Sequence, residues 1–377
     1  MPAAASSGRI AVAAIVVNWR QPDLTSAAVA SLEAQTGLGD VDLSVVIVDN
    51  GSGDGSAEVL AARHPQHALV AVATNGGFGA GVNAGIRAVA AEVYVLLNND
   101  AVASAGFVAV LVGALRAEPS VGAVTGRIVL RERYREAAIP VGAESGSGAG
   151  PRDAGAALVA ADGARWVVDA EGQELVNSTG NEVTRSGNGR DRDWLVPVDR
   201  DRRPAGEVMG FSGGAAALRA SALAQVGLFD ESLFMYYEDT DLSWRLRRAG
   251  WGIRYEPSAS VRHAHAASTG TGSHTFRFYN ERNRVLVAAK NAPAAVLLTA
   301  LARTIVGTAR TLATAFVASA RAGDAPDAGD TLADAQRRVR SLSAALGRLP
   351  AALGERRRLD RAAVVPRAAV AAFLVRD

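Results

Sequence analysis

Residues 93–97, Val-Tyr-Val-Leu-Leu, are apolar without interruption and then give way to Asn98, Asn99 and Asp100. Five such residues in succession suit a strand buried on both faces of a sheet, which restricts the chain to architectures with helices on both sides. Polar side chains at the carboxyl end of such a strand stand where open α/β sheets collect ligands. Asp100 has two readings at this point: the N-cap of a following helix, or a metal ligand.

The rest of the first 130 residues fits that strand. Residues 10–17 form a buried strand rather than a signal-peptide core, because Asn18, Trp19 and Arg20 follow at once without a small-residue cleavage site; a cytosolic protein is expected. Pro22 and Asp23 open a helix over 24–35, and residues 43–48 make a second strand that ends in Asp49-Asn50-Gly51-Ser52-Gly53-Asp54-Gly55-Ser56. Asp54 or Ser56 can cap the next helix. A third strand over 69–73 leads into Thr74-Asn75-Gly76-Gly77-Phe78. Strands alternating with helices imply a parallel sheet with right-handed crossovers. The glycines after Asn75 do not have dinucleotide-fingerprint spacing and follow the third strand, which argues against a Rossmann dehydrogenase; they still allow a phosphate to approach the backbone. The chain lacks cysteine, which removes disulfides, thiolate catalysis and thiolate metal sites. A net charge of +2 over 377 residues gives no pull towards nucleic acid.

From 131 to 207 the periodicity weakens. Residues 142–163 are rich in Gly, Ala and Ser and suit a loop, and hairpin-like strands fit 165–193. Residues 208–219 are expected as a strand, with Ser221 capping the next helix. Glu238, Asp239 and Asp241 then cluster where a loop enters a helix carrying Leu242, Trp244 and Leu246. They suit either an acidic first turn favoured by the helix dipole or a general base beside a sugar, flanked by Tyr236, Tyr237 and Trp244. His263 and His265 have the spacing of two metal ligands on a strand, or of a solvated edge.

Together these stretches resemble the family 2 glycosyltransferases, in particular their bacterial rhamnosyltransferase-like branch. The resemblance rests on A-I-V-V-N-W at 14–19, V-V-I-V-D-N-G-S-G-D-G-S at 45–56, N-G-G-F-G-A-G-V-N-A-G at 75–85 and L-L-N-N-D at 96–100. It continues through F-S-G-G-A-A-A-L-R at 211–219, F-D-E-S-L-F-M-Y-Y-E-D-T-D-L-S-W-R at 229–245 and E-R-N-R at 281–284. It implies an α/β GT-A fold: a catalytic domain over 1–290, with a nucleotide-sugar half (1–130) and an acceptor half (131–290), and a helical extension over 291–377. It implies an inverting transfer from a dTDP- or UDP-linked sugar, rhamnose among the candidates, to a glycan, lipid-linked or other hydroxyl acceptor. Asn18, Asp49, Asn75, Gly76, Asn99 and Arg282 are the implied nucleotide-sugar contacts. Asp100 and His263 are the implied ligands of a divalent ion (Mn2+ or Mg2+), although Asn98 stands where the first acid of a D-x-D motif would be. Asp239 is the implied base, with Glu238 orienting it or touching the acceptor. The alternatives are a noncatalytic carbohydrate-binding component or a sugar nucleotidyltransferase; the latter usually has a basic, glycine-rich loop after its first strand, where this chain has Asn-Trp-Arg-Gln-Pro-Asp.

Beyond Asn291 a helical stretch runs to Ala320, interrupted by Arg303 and Arg310, and a second begins at Thr331 after a break at 323–329. The longest uncharged run is shorter than the ~20 residues that span a bilayer, which argues against a transmembrane helix. Two readings remain for the tail: a helical hairpin packed on the catalytic domain or a second subunit, as in a homo-oligomer, or an amphipathic anchor with its arginines on anionic headgroups.

Overall fold

The computed structural model describes residues 8–137, 157–264, 273–321 and 328–377. Most of the Gly/Ala/Ser-rich stretch, His265 and the greater part of the break at 323–329 lie outside the described residues. The first part alternates as the hydrophobic pattern requires: β1 (Ile10–Asn18), α1 (Pro22–Glu33), β2 (Val41–Asn50), α2 (Ser56–Arg63), β3 (Ala68–Val72), α3 (Phe78–Ala88) and β4 (Val93–Leu97). β5 (Ala101–Ala103), α4 (Phe107–Ala117) and the long β6 (Val121–Ala137) follow. Short strands then build one side of the molecule: β7 (Leu158–Val159), β8 (Arg165–Val168), β9 (Gln173–Ser178), β10 (Asn181–Val183), β11 (Gly189–Asp191) and β12 (Gly206–Glu207). β13 (Ala215–Arg219), α5 (Ala220–Val226), α6 (Glu238–Arg248) and β14 (Gly252–His263) complete the sheet and its cover.

The sheet runs β12-β14-β6-β13-β4-β1-β2-β3. β4, β1, β2 and β3 are parallel, and β13 enters antiparallel between β4 and β6. The strand order reverses beside β1, the place where open α/β sheets form a ligand crevice at their carboxyl edge. Alternate residues of β1 serve two cores. Val12, Ala14 and Val16 pack with Leu32 and Leu111, from α1 and α4; Ala13 and Ile15 pack with Val82 and Leu242, from α3 and α6. Burying side chains of this size contributes about 1.5–3 kcal/mol each for Val, Leu and Ile.

Two local expectations change. Within 208–219 the strand on the central path is confined to Ala215–Arg219, because Gly210 to Gly214 turn to bring backbone against Ser243, Asp239 and Asn98. Ser221 is not a cap: Arg219 occupies the N-cap of α5 without a side-chain cap bond, and its guanidinium donates instead to the carbonyls of Leu115, Glu118 and Val121.

The tail is α7 (His274–Asn291), α8 (Ala294–Arg321), α9 (Ala328–Ala362) and α10 (Arg367–Val370). Leu286, Val296, Ala300, Ala352, Val370 and Leu374 share one core with Leu233, Tyr237 and Trp244. Arg356 donates to the carbonyls of Ala289 and Ala292, closing the end of α7, and Arg337 pairs with Glu281 and Asp334. Much of this segment therefore packs on the rest of the chain, and part of its basic cluster is tied into the protein. The count of uncharged residues understated α8. Among the described residues it is the one helix long and apolar enough to cross a membrane, over Ala294–Ala318, because Arg303 and Arg310 interrupt the run without interrupting the helix.

Candidate active site

The carboxyl ends of β1, β2 and β4, the Asn75–Phe78 turn, the β10–β11 hairpin and the start of α6 enclose a cleft of about 1070 Å3. Its lining includes Asn98, Asn99, Asp100, Asp191, Asp239 and His263. Trp19, Phe78, Tyr236 and Tyr237 add aromatic surface. A second cavity of about 640 Å3 lies beside α6; Lys290, Arg245 and Arg358 in its lining are paired with Asp230, Asp241 and Glu355, and Arg348 donates to the Ser232 carbonyl.

Register brings the first pair together. β5 pairs antiparallel with the end of β14, placing His263 opposite Ala101 and beside Asp100. The Asp100 carbonyl accepts from the Ala264 N–H at 2.9 Å, and its carboxylate lies 3.0 Å from His263 Nε2. α4 starts seven residues after Asp100 with Gly106 at its N-cap, so the capping reading of Asp100 fails. His263 Nδ1 faces Asn177 Oδ1 at 2.8 Å. Both ring nitrogens therefore face acceptor oxygens. With Nδ1 held on Asn177, the ring turns Nε2 towards Asp100 and the Asn98 amide at 3.4 Å, the arrangement of an oriented metal ligand. Among the described residues no three His, Asp or Glu side chains converge to enclose an ion. One carboxylate and one imidazole suit an ion whose other ligands are diphosphate oxygens and water.

The residues expected to contact the nucleotide sugar brace one another. Asn18 donates to Asp49 Oδ1 at 2.7 Å and accepts from Thr25 Oγ1 at 2.8 Å, while Asp49 also accepts from the hydroxyl of Ser52. Asn18 and Asp49 are paired across β1 and β2, so register explains the contact. Asn75 Oδ1 accepts from the Gly77 N–H at 2.8 Å and from Asn50 at 3.1 Å. Gly76 N–H lies 3.4 Å from Asn50 Oδ1, and Asn99 donates to Thr25 at 3.4 Å. Gly77 has φ +88°, and a Cβ there would run into the Phe234 carbonyl. The glycine is fixed by a close approach between the nucleotide turn and the acidic loop.

The acidic loop is strained: Phe234, Tyr236 and Tyr237 all have φ between 65° and 72°. Asn283 holds it, donating through one amide to the carbonyls of Leu233, Met235 and Tyr236 at 2.8–2.9 Å. Arg282 is buried and donates to the carbonyls of Ser232 and Leu233, its guanidinium lying 4.7 Å from the Tyr279 ring centre. That places Arg282 under the loop rather than on the cleft wall or in solvent.

The three acids of this loop have different surroundings. Asp241 points away from the cleft, against Arg245 at 2.9 Å, Lys290 at 2.9 Å and Asn291 at 2.7 Å. Burial alone would raise its pKa, but Lys290 and Arg245 overcome that and hold it at about 2. Asp239 accepts from the N–H groups of Gly213 at 3.2 Å and Thr240 at 2.6 Å, and from Asn181 at 3.3 Å. Burial raises its pKa, with those donors opposing. Glu238 is buried with Oε2 unpartnered among the described residues, and burial together with the charge on Asp239 pushes it up to about 8. Raised to about 8, Glu238 is mostly protonated at neutral pH.

The sequence reading missed Asp191, Asn181 and Asn177. Asp191, at the end of β11, is water-accessible but deep in the cleft; burial and the charge on Asp239 push it up to about 6. The Asn188-Gly189 pair before it is a hairpin signal, but nothing in the linear spacing aims that hairpin at α6.

With this geometry in hand, the comparisons agree. The model of glycosyl transferase family 2 matches residues 14–139, and that of glycosyl transferase family group 2 matches residues 168–316. The N-acetylglucosaminyl-diphospho-decaprenol L-rhamnosyltransferase of Mycobacterium tuberculosis is 30% identical over 241 residues, covering 60% of this chain and 68% of that protein. The pre-mycofactocin glycosyltransferase of the same organism is 51% identical over 51 residues, 14% of this chain and 11% of that protein. The structure of GalNAc-T7 with UDP, GalNAc and Mn2+ superposes with a TM-score of 0.54 at 12% identity, covering 88% of this chain and 55% of that one, a likeness of fold. A GT-A sheet, its cleft and a family match on both halves lead to one conclusion: the chain belongs to the family 2 glycosyltransferases, in their rhamnosyltransferase-like branch.

Proposed function

We propose that the protein is an inverting, metal-dependent glycosyltransferase that moves rhamnose from a nucleoside diphosphate sugar, such as dTDP-rhamnose, to a hydroxyl of a lipid-linked acceptor. One observation carries this reading: Asp239, with its raised pKa, and the Asp100–His263 pair line the same cleft as the Asn75–Phe78 turn. The acceptor and donor classes are supported by the relative whose name specifies a diphospho-decaprenol and L-rhamnose.

In this reading Asp239 takes the proton of the acceptor hydroxyl as its oxygen bonds to the anomeric carbon. The bond from that carbon to the phosphate oxygen breaks, and the nucleoside diphosphate leaves with the electron pair. A single displacement inverts the anomeric centre. A divalent ion held by Asp100 and His263 would neutralise charge on the leaving diphosphate. Asn177 keeps His263 turned, and Asn181, Gly213 and Thr240 keep the Asp239 carboxylate oriented.

The test is a panel of nucleotide sugars scored for nucleoside diphosphate release with a polyprenyl-diphosphate sugar as acceptor, with Mn2+, Mg2+ or chelator. Release only with metal and with a rhamnose donor, and its loss in Asp100→Ala with the melting temperature unchanged, supports the reading. Equal release in chelator, or equal turnover in Asp100→Ala, refutes the metal role.

A further inference from the structure

α8 is apolar on two sides. Its inner side carries Val296, Ala300, Thr304, Thr308 and Ala315, all buried, and Thr304 accepts from Arg284 at 2.7 Å. Its outer side carries Leu298, Ile305, Val306, Leu312, Phe316 and Val317, with Phe316 77% and Leu298 63% exposed. Leu298, Ile305 and Leu312 are spaced by seven, and Phe316 follows four on, so they form a continuous strip along the helix. Val306 and Val317 widen the strip on one side, and beyond them by the same periodicity lie Arg310 and Arg303, both exposed, with Arg303 paired to Asp377 at 2.8 Å. α8 contains no acidic residue.

We propose that this outer face is a membrane-docking surface on which the protein lies against an anionic bilayer, with α8 in the plane of the interface. An exposed apolar strip edged by arginines matches a bilayer boundary: alkyl chains meet the strip and anionic headgroups meet the guanidinium groups. Self-association through the same face would bring Arg310 of the two copies together with no acid on α8 to receive it. Spanning would strip the inner face of its protein partners. The docking also has a consequence for the cleft, because α8 supports it. Val296 and Ala300 pack beneath Gly187, in the turn of the β10–β11 hairpin. Arg284 joins that turn, at Asn188, to Thr304. A bilayer held on α8 is thereby tied to the hairpin carrying Asp191. The inference rests on the lipid-linked acceptor proposed above, but its primary readout is vesicle binding rather than turnover.

Full-length protein is sedimented with phosphatidylcholine vesicles with and without phosphatidylglycerol, at low and high salt. Wild type is expected to pellet with phosphatidylglycerol vesicles and to be partly released by salt. The I305E/L312E/F316E variant should partition at least ~10-fold less, and Arg310→Glu should weaken binding selectively on anionic vesicles. Thermal melting confirms that each variant is folded, as expected for exposed positions. Wild type that stays in the supernatant, or a triple variant that pellets like wild type, overturns the proposal. So does a wild-type dimer in equilibrium ultracentrifugation that the triple variant converts to monomer without any vesicle binding by wild type. Transfer to a short, water-soluble acceptor is measured in parallel: its absence in wild type counts against the transferase reading alone, and its retention without vesicle binding counts against the docking face alone.

Discussion

At the scale of single residues, the acidic motif separates into three roles that its spelling conceals. Glu238, Asp239 and Asp241 are close in sequence, yet only the first two border the cleft. Asp239→Asn is expected to lower kcat by at least ~10²-fold while leaving donor affinity within a few-fold, measured by turnover and by titration with the donor. Glu238→Gln resembles the protonated side chain already present at neutral pH, so turnover near pH 7 should stay within about tenfold of wild type. Its pH profile should keep the acid limb and lose an alkaline inflexion near 8, the value to which Glu238 is raised. Asp241 behaves in the opposite sense. Its folded pKa lies below its unfolded value, so its contribution to stability is full above about pH 4 and disappears as pH falls towards 2. Asp241→Asn removes the carboxylate between Arg245 and Lys290, which keep the Val226–Leu228 carbonyls and Asp230 as partners, and should cost about 1–3 kcal/mol in denaturant unfolding at pH 7. Sequence showed the acids and their order. It did not show that Lys290, forty-nine residues on and buried against Asp241, removes that carboxylate from the chemistry.

At the scale of elements, periodicity revealed the parallel strands and the helices between them, because each buries a continuous apolar face. It weakened where strands are short and pairing is distant. β10 and β11 are three residues each, and their contribution to the cleft depends on contacts with α6 across about fifty residues of chain. The Glu-Arg-Asn-Arg stretch was visible, but its role was not. Within α7, Asn283 and Arg282 are a clamp on the left-handed residues of the acidic loop. Asn283→Ala removes three backbone partners at once. It should destabilise the fold by about 1–3 kcal/mol and lower kcat more than it weakens donor binding, because the loop then samples conformations that misplace Asp239. A melting curve and a KM-against-kcat comparison check both parts. A loss of stability with unchanged kcat would leave Asn283 as mere scaffolding.

At the scale of the whole molecule, the tail cannot be detached cleanly from the catalytic part. The core that holds Tyr237 and Trp244 also holds Val296, Ala300, Ala352 and Val370. A chain cut after Asn291 would bare the face of α7 that α9 covers and free the Ala289 carbonyl that Arg356 closes. Such a chain should melt several degrees lower or aggregate, checked by thermal melting and light scattering. The two halves of the catalytic part are joined just as closely. Asn83, on α3, bonds the backbone of Phe229 in both directions, and Gly77 meets Phe234 with no room for a methyl group. Engineers seeking a new sugar donor would naturally transplant the nucleotide turn from a relative. In this protein the graft has to carry residues 75–83 and 229–237 as a single piece, since a turn from one parent and a loop from another would meet backbone to backbone at a joint with no tolerance.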